Sequence, residues 1–354
     1  MISCNIDMFI AGCSTKCKHC YVDGGPEKST DIDNINYAMK RLEVLLPLIE
    51  AMNIEVSVTL DNEPVNHKDA IKIYNLTKKH LGDYYFHHAS TTGIPLLRHK
   101  DKASLTDTMI KHGYGQVGLT LHGNHDNHNE IVGNPDGLTS LIEAGKYLYQ
   151  NNFHVVVSFM LSKLLIRDRD EIGQILEELP HHGIYFAITN ASPIDRMQDY
   201  QKYRVSSNDV HKLKGYLGKW GFDEEEIFNR LEVCHEDYYI DELQKLPSWD
   251  YLKGSGSNIY MSLDADLNFN YGNTGLEVFT IGNLKSLSDQ EIITSIKNLK
   301  PNDCYWDSYF RKETLPDLKD FIRRVDEVRT DNYIYPNIDS FLTYWFKRFN
   351  YDNE

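Results

Sequence analysis

Gly12-Cys13-Ser14-Thr15-Lys16-Cys17-Lys18-His19-Cys20-Tyr21 follows directly on a strand-like run at residues 2–10. Its C-x3-C-x2-C spacing puts three thiols on one short loop at the end of the first strand. Thiolates suit zinc or iron–sulfur clusters, and a structural zinc needs a fourth ligand to close its tetrahedron. Cys4 meets that need only if the first strand bends back. Three ligands on a four-iron cluster leave one iron open, where an amino acid can chelate through its amine and carboxylate.

Outward from this loop, the first 190 or so residues alternate strand-like and amphipathic stretches, the rhythm of βα units. Strands are expected at 2–10, 54–60, 84–89, 116–121, 154–161 and 183–189. Ile35, Ala38, Met39, Leu42, Leu45, Leu46 and Ile49 recur at helical spacing behind Asp33, read as the cap. Further helices are expected at 67–81, 103–112, 137–151 and 169–179. Right-handed crossovers then curl the units into an open sheet or part of a barrel, with chemistry at the C-terminal ends of the strands.

Near residue 191 the rhythm breaks into a polar, Tyr-rich region with helices at 207–219 and 223–234. Residues 258–284 read as hairpin strands turning at Asp264-Ala265-Asp266 and Gly272-Asn273, and helices follow at 288–298, 315–328 and 338–349. The expected fold class is therefore α/β, with a C-terminal α+β appendage; the domains are 1–195 and 196–354.

The 354 residues are 41% hydrophobic, enough for a substantial core, without an apolar run of the roughly 18 residues that would span a bilayer. Fifty-two acidic against 37 basic residues leave a net charge of −15, which argues against broad attraction to nucleic-acid phosphates. Six unevenly placed cysteines do not make a disulfide framework and read as ligands in a reducing compartment. Residues 1–10 lack the basic flank and apolar stretch of a secretory signal, so the expected location is cytoplasmic, with no membrane partner.

The cysteine loop resembles that of the radical S-adenosylmethionine (SAM) superfamily, whose triplet follows the first strand of a partial (β/α)6 barrel; the resemblance spans roughly residues 1–195. It implies one [4Fe–4S] cluster on Cys13, Cys17 and Cys20. Reductive cleavage of SAM there yields methionine and a 5′-deoxyadenosyl radical that removes hydrogen from a substrate. His19 stands where the family places an aromatic residue near the adenine. Thr59-Leu60-Asp61-Asn62-Glu63-Pro64 resembles the family's Gly-Gly-Glu-Pro turn, which implies SAM binding by Glu63 with help from Asn62. Asp61 and Asn62 replace the two glycines; both residue types tolerate unusual turn dihedrals. Ser90-Thr91-Thr92-Gly93 is similar to the Thr-Asn-Gly turn of relatives. Leu119-Thr120-Leu121-His122-Gly123 resembles a Ser-Leu-Asp-Gly segment, and Thr120 keeps its hydroxyl. Residues 131–133 stand where relatives place an arginine, and Ser158 is a candidate for a ribose or carboxylate contact. His122, His125 and His128 form an H-x2-H-x2-H run read as loop, with His122 as a substrate or SAM contact.

The tail, with Asn258 to Asp266 and Ile281-Gly282-Asn283-Leu284, resembles the auxiliary-cluster region of peptide and protein maturases, but residues 267–280 contain no cysteine. Cys234 and Cys304 remain there as ordinary buried thiols or as hydrogen donors to a substrate radical. The implied partners are a peptide or small-molecule substrate and an electron donor such as flavodoxin or ferredoxin. Two rivals stand beside this reading: a non-catalytic zinc or iron–sulfur module that binds or senses redox state, and a dithiol oxidoreductase using Cys17 and Cys20.

Overall fold

The structure, a computed structural model, describes residues 2–20, 25, 27–86, 88–188, 199–252, 257–272, 279–299 and 315–351. Strand β1 (Ile2–Ala11) alternates strictly: Cys4, Ile6, Met8 and Ile10 are buried, while Ser3, Asn5, Asp7 and Phe9 between them are half-buried. That period of two is what a strand with one face on a helical core produces. Helix α1 (Ile32–Glu50) buries the seven apolar residues its spacing marked. Its cap is Asp31 rather than Asp33: the Asp31 carboxylate accepts from the Asp33 backbone N–H at 2.8 Å, so Asp33 is first-turn.

β1 pairs in parallel with β2 (Ile54–Asn62), from Ile2 beside Ile54 to Met8 beside Leu60. Helix α2 (Ala70–Leu81) leads to β3 (His88–Ser90), which is shorter than expected. Earlier in that stretch Tyr85 makes a single parallel bridge to Val58, the hinge between two sheets. Short helix α3 (Ile94–Arg98) and helix α4 (Lys102–Lys111) precede β4 (Gln116–Leu121); α5 (His125–Val132) and α6 (Gly137–Gln150) precede β5 (His154–Leu161). Helices α7 (Lys163–Arg167) and α8 (Arg169–Glu178) precede β6 (Gly183–Ile188), and β3-β4-β5-β6 form a parallel sheet. The whole is a mixed α/β partial barrel, as expected.

The tail adds to the sheet of β1 and β2. β7 (Asn258–Leu263) lies parallel to β1 on the side away from β2, and β8 (Asn268–Tyr271) and β9 (Phe279–Asn283) continue antiparallel, giving the order β2-β1-β7-β8-β9. The expected boundary at 195/196 lies outside the described residues. The expected helix at 207–219 breaks into α9 (Ser207–Val210) and two 3-10 turns: Gly215 takes φ of +81° within it, and Gly221, at +92°, ends the second turn. After α10 (Glu224–Glu232) comes an unforeseen α11 (Glu236–Gln244), then α12 (Asp289–Asn298), α13 (Leu318–Val328) and α14 (Ile338–Tyr351). A second core of Tyr239, Leu243, Trp249, Phe321, Phe341 and Trp345 joins α11, α13 and α14. No helix among the described residues is long and apolar enough to cross a membrane.

The concave face of the barrel is polar. Asn5 Oδ1 accepts from Ser57 Oγ at 3.0 Å and Thr59 Oγ1 at 3.1 Å, and Asn5 Nδ2 donates to Asp7 Oδ1 at 2.6 Å. Asp7, Ser262, Asn270 and Thr280 stand side by side across β1, β7, β8 and β9. None of the strands among the described residues carries a lysine or arginine.

Candidate active site

The cysteine loop leaves β1 through Gly12. A Cβ there would lie 2.0 Å from the Gly25 carbonyl oxygen, so only glycine lets the returning chain pass this close. The return is pinned by the Gly12 N–H to the Lys28 carbonyl at 2.8 Å and an antiparallel bridge between Ala11 and Ser29. The loop folds on itself through the Cys20 N–H to the Cys17 carbonyl, and Lys18 N–H ties it to the Ile131 carbonyl at the end of α5. Cys13, Cys17 and Cys20 then line one cavity of about 170 Å³.

Opposite them, the β2 turn supplies Asn62 and Glu63. Glu63 is 1% exposed, and its carboxylate accepts from five donors. Oε1 takes Thr91 Oγ1 at 2.7 Å, the Thr92 N–H at 2.6 Å and Thr92 Oγ1 at 2.9 Å; Oε2 takes the Ser14 N–H at 2.9 Å and Ser14 Oγ at 3.4 Å. A buried carboxylate needs such donors to remain charged. Here they tie the cysteine loop to the turn after β3. Asn62 occupies the left-handed region at φ 64°, which asparagine tolerates better than most residues, and its Nδ2 is buried without a hydrogen-bond partner among the described residues. Gly93 (φ +84°) is forced to be glycine, since a Cβ would meet Ala144 Cβ at 2.7 Å.

The third wall comes from β4. Thr120 lines the cavity, and after it the chain enters α5, capped by the Asn124 side chain on the Asn127 N–H. The H-x2-H-x2-H run is thus not all loop: His125 and His128 sit on a helix. His128 turns back so that its ring lies 5.4 Å from His122, which in turn lies 4.3 Å from His19. His125 is exposed. Burial lowers His19 to about 4 and His128 to about 3; burial, then the neighbouring rings, lowers His122 well below the ordinary histidine value. All three are neutral at pH 7, each with one donor and one acceptor nitrogen. His19 Nδ1 and His122 Nδ1 are buried without hydrogen-bond partners among the described residues.

Of the residues marked by sequence, Cys13, Cys17, Cys20, His19, Asn62, Glu63, Thr120 and His122 meet at this cavity. Ser158 does not line it; it stands beside Thr120 on β5 with Tyr185 beyond it, on the same face of the sheet. Cys4 lies in the helix-facing core, its thiol pushed up to about 12 by burial, and is no fourth ligand. Cys234 is buried before α11, away from the cavity lining, with burial raising its pKa. Cys304 lies outside the described residues. Reading by motif missed His128, Ser14 and the Glu63 clamp; the Asn124 cap ahead of an apolar Ile131-Val132 was the available signal for the helix that carries His128.

A family model described as the radical SAM superfamily matches residues 8–190. The chain belongs to the radical SAM superfamily. Its fold is similar to a solved structure of native anSMEcpe with bound AdoMet, at 13% identity over 98% of this chain and 97% of that one, with a TM-score of 0.56. The same protein with AdoMet and a Cp18Cys peptide gives 0.55 at 14% identity over 99% and 97%. Streptococcus suis SuiB bound to precursor peptide SuiA covers 75% of this chain and 58% of its own, at 15% identity and a TM-score of 0.48. No curated protein matches the chain.

A radical SAM enzyme uses SAM and an iron–sulfur cluster, and the residues present fit both. The three thiols share a wall, yet no three Cys, His, Asp or Glu side chains among the described residues converge on a point where a single metal ion would sit. A cluster takes one thiolate on each of several irons, so its ligands stand apart. The unpaired nitrogens of His19, Asn62 and His122 give a polar ligand three buried groups to meet.

Proposed function

We propose that this radical SAM enzyme holds one [4Fe–4S] cluster on Cys13, Cys17 and Cys20 and takes hydrogen from a peptide or small metabolite. The observation that carries the reading is the single cavity in which three thiols face the unpaired Asn62 and His122 nitrogens. When bound, the cluster and SAM supply a one-electron cleavage to a 5′-deoxyadenosyl radical. The chain's own residues do the rest. Glu63 fixes Ser14, the residue after Cys13, and sets a carboxylate in the cavity wall. His19 and His122 form a neutral aromatic wall that offers hydrogen bonds without charge, and Thr120 adds a hydroxyl. Ser158, beside Thr120, and the polar row from Asp7 to Thr280 offer a substrate polar groups on the inner face of the sheets. The fold likeness to a protein solved with a Cp18Cys peptide supports the peptide arm. A hydrogen donor must meet the substrate radical; Cys234 is not among the residues that line the cavity.

The test is anaerobic reconstitution with iron and sulfide, then dithionite and SAM, assaying 5′-deoxyadenosine for wild type and Cys17→Ala. Cluster-dependent product supports the reading. A stable zinc protein that leaves SAM intact overturns it in favour of a binding module.

A further inference from the structure

We propose that a basic groove along α2 is the docking face for an acidic one-electron donor protein. The inference rests on the function proposed above, which requires an electron to reach the cysteine loop from outside. The chain as a whole carries −15, yet residues 64–115 hold eight lysine and arginine side chains against four aspartates. The sign of the surface therefore reverses over one contiguous stretch, and the rest of the chain repels an acidic partner.

The reversal is organised around a groove of about 460 Å³ on the outer side of α2. Lys68, Lys72 and Lys79 rim it and are exposed, Ile71 and Leu76 form a half-buried apolar floor, and among the described residues Asp69 is the one acidic residue in its lining. His99 closes its far side, next to exposed Arg98 and Lys100. A small apolar patch inside a ring of one charge suits a brief encounter, in which complementary charge raises the association rate more than the final affinity.

The groove is also close to the site. Asn66 Nδ2 donates to the Gly12 carbonyl at 2.8 Å, and His67 Nε2 bonds the Thr30 carbonyl at 2.9 Å, so the turn before α2 backs the cysteine loop. Lys68 is only five positions beyond Glu63, a reach of at most about 18 Å even if fully extended, and Pro64–Asn66 are coiled in a 3-10 turn that shortens it. One-electron transfer through protein falls off steeply with distance, which favours a landing place here. One electron leaves the donor, oxidising it, and enters the cluster, reducing it; no bond forms or breaks at the docking face.

The experiment compares wild type with the triple variant Lys68→Glu, Lys72→Glu, Lys79→Glu, reconstituted and driven either by reduced flavodoxin or by dithionite, with flavodoxin binding followed separately by flavin fluorescence anisotropy. The expected result is a loss of about tenfold or more in flavodoxin-driven 5′-deoxyadenosine formation, weaker flavodoxin binding, and an unchanged dithionite-driven rate. In wild type, added salt should reproduce the loss for flavodoxin alone. Equal loss with both reductants, or no loss with flavodoxin, overturns the docking face while leaving the proposed function standing. Salt-sensitive capture of an RNA oligonucleotide by these lysines without flavodoxin binding overturns it in favour of nucleic acid. Wild type that yields no 5′-deoxyadenosine even with dithionite overturns the functional reading, and this inference falls with it.

Discussion

Glu63 Oε2 accepts the backbone N–H of Ser14 at 2.9 Å, so a buried carboxylate on the β2 turn holds the residue that follows the first cysteine. Its other oxygen takes both threonines after β3. Three separate segments therefore share one charge.

Glu63→Ala should leave those donors unpaired in a buried place and lower the unfolding free energy by about 2 kcal/mol or more. Chemical denaturation of the metal-free chain reads the stability, and iron bound per chain after reconstitution reads the loop. Unchanged values for both would show that the loop holds itself.

Gly12→Ala places a methyl group 2.0 Å from the Gly25 carbonyl oxygen, and backbone cannot yield there as a flexible side chain would. Destabilisation of about 1–3 kcal/mol is expected, with faster proteolysis in residues 12–30. Gly173→Ala, where nothing lies within 4 Å of the added Cβ, is the control.

Asp7 faces the barrel interior, and burial, then the Asp61 charge, raise its pKa to about 6. An unfolded aspartate titrates near 3.9. Between about pH 4 and 6 the folded chain thus holds a proton that the unfolded chain has lost, so this group's contribution to stability falls as pH rises through that window. Above pH 6 the cost is fully present, roughly 2–3 kcal/mol. Asp7→Asn should therefore be more stable than wild type at pH 7 and indistinguishable from it near pH 4. Urea unfolding at pH 4, 5, 6 and 7 checks the sign; a constant difference across the series removes Asp7 as the cause.

His122→Phe keeps a ring beside His19 and deletes the unpaired Nδ1. The affinity for SAM should fall about three- to tenfold, the worth of one hydrogen bond, in equilibrium dialysis of the reconstituted protein. Wild-type affinity should not vary between pH 6.5 and 8 through this residue, because burial keeps His122 neutral over that range. Undiminished binding by the variant would take His122 out of the site.

The sequence by itself determined the βα rhythm through β6, the helix-facing side of β1 and α1, and the cysteine loop with its Asn62-Glu63 turn. These are local properties: alternation of two, helical spacing and residue type suffice to place them. The shortfalls were local competitions, as at Gly215, where a positive-φ glycine cuts an otherwise helical pattern. Only the tertiary structure decided that β7 pairs with β1, that His128 returns to His122, that Ser158 stands one strand away from the cavity, and that Glu63 is saturated by donors from Ser14, Thr91 and Thr92. Each depends on groups far apart along the chain, as Ser14 is 49 residues from Glu63, and no pattern within one segment records which distant donor a buried charge will find.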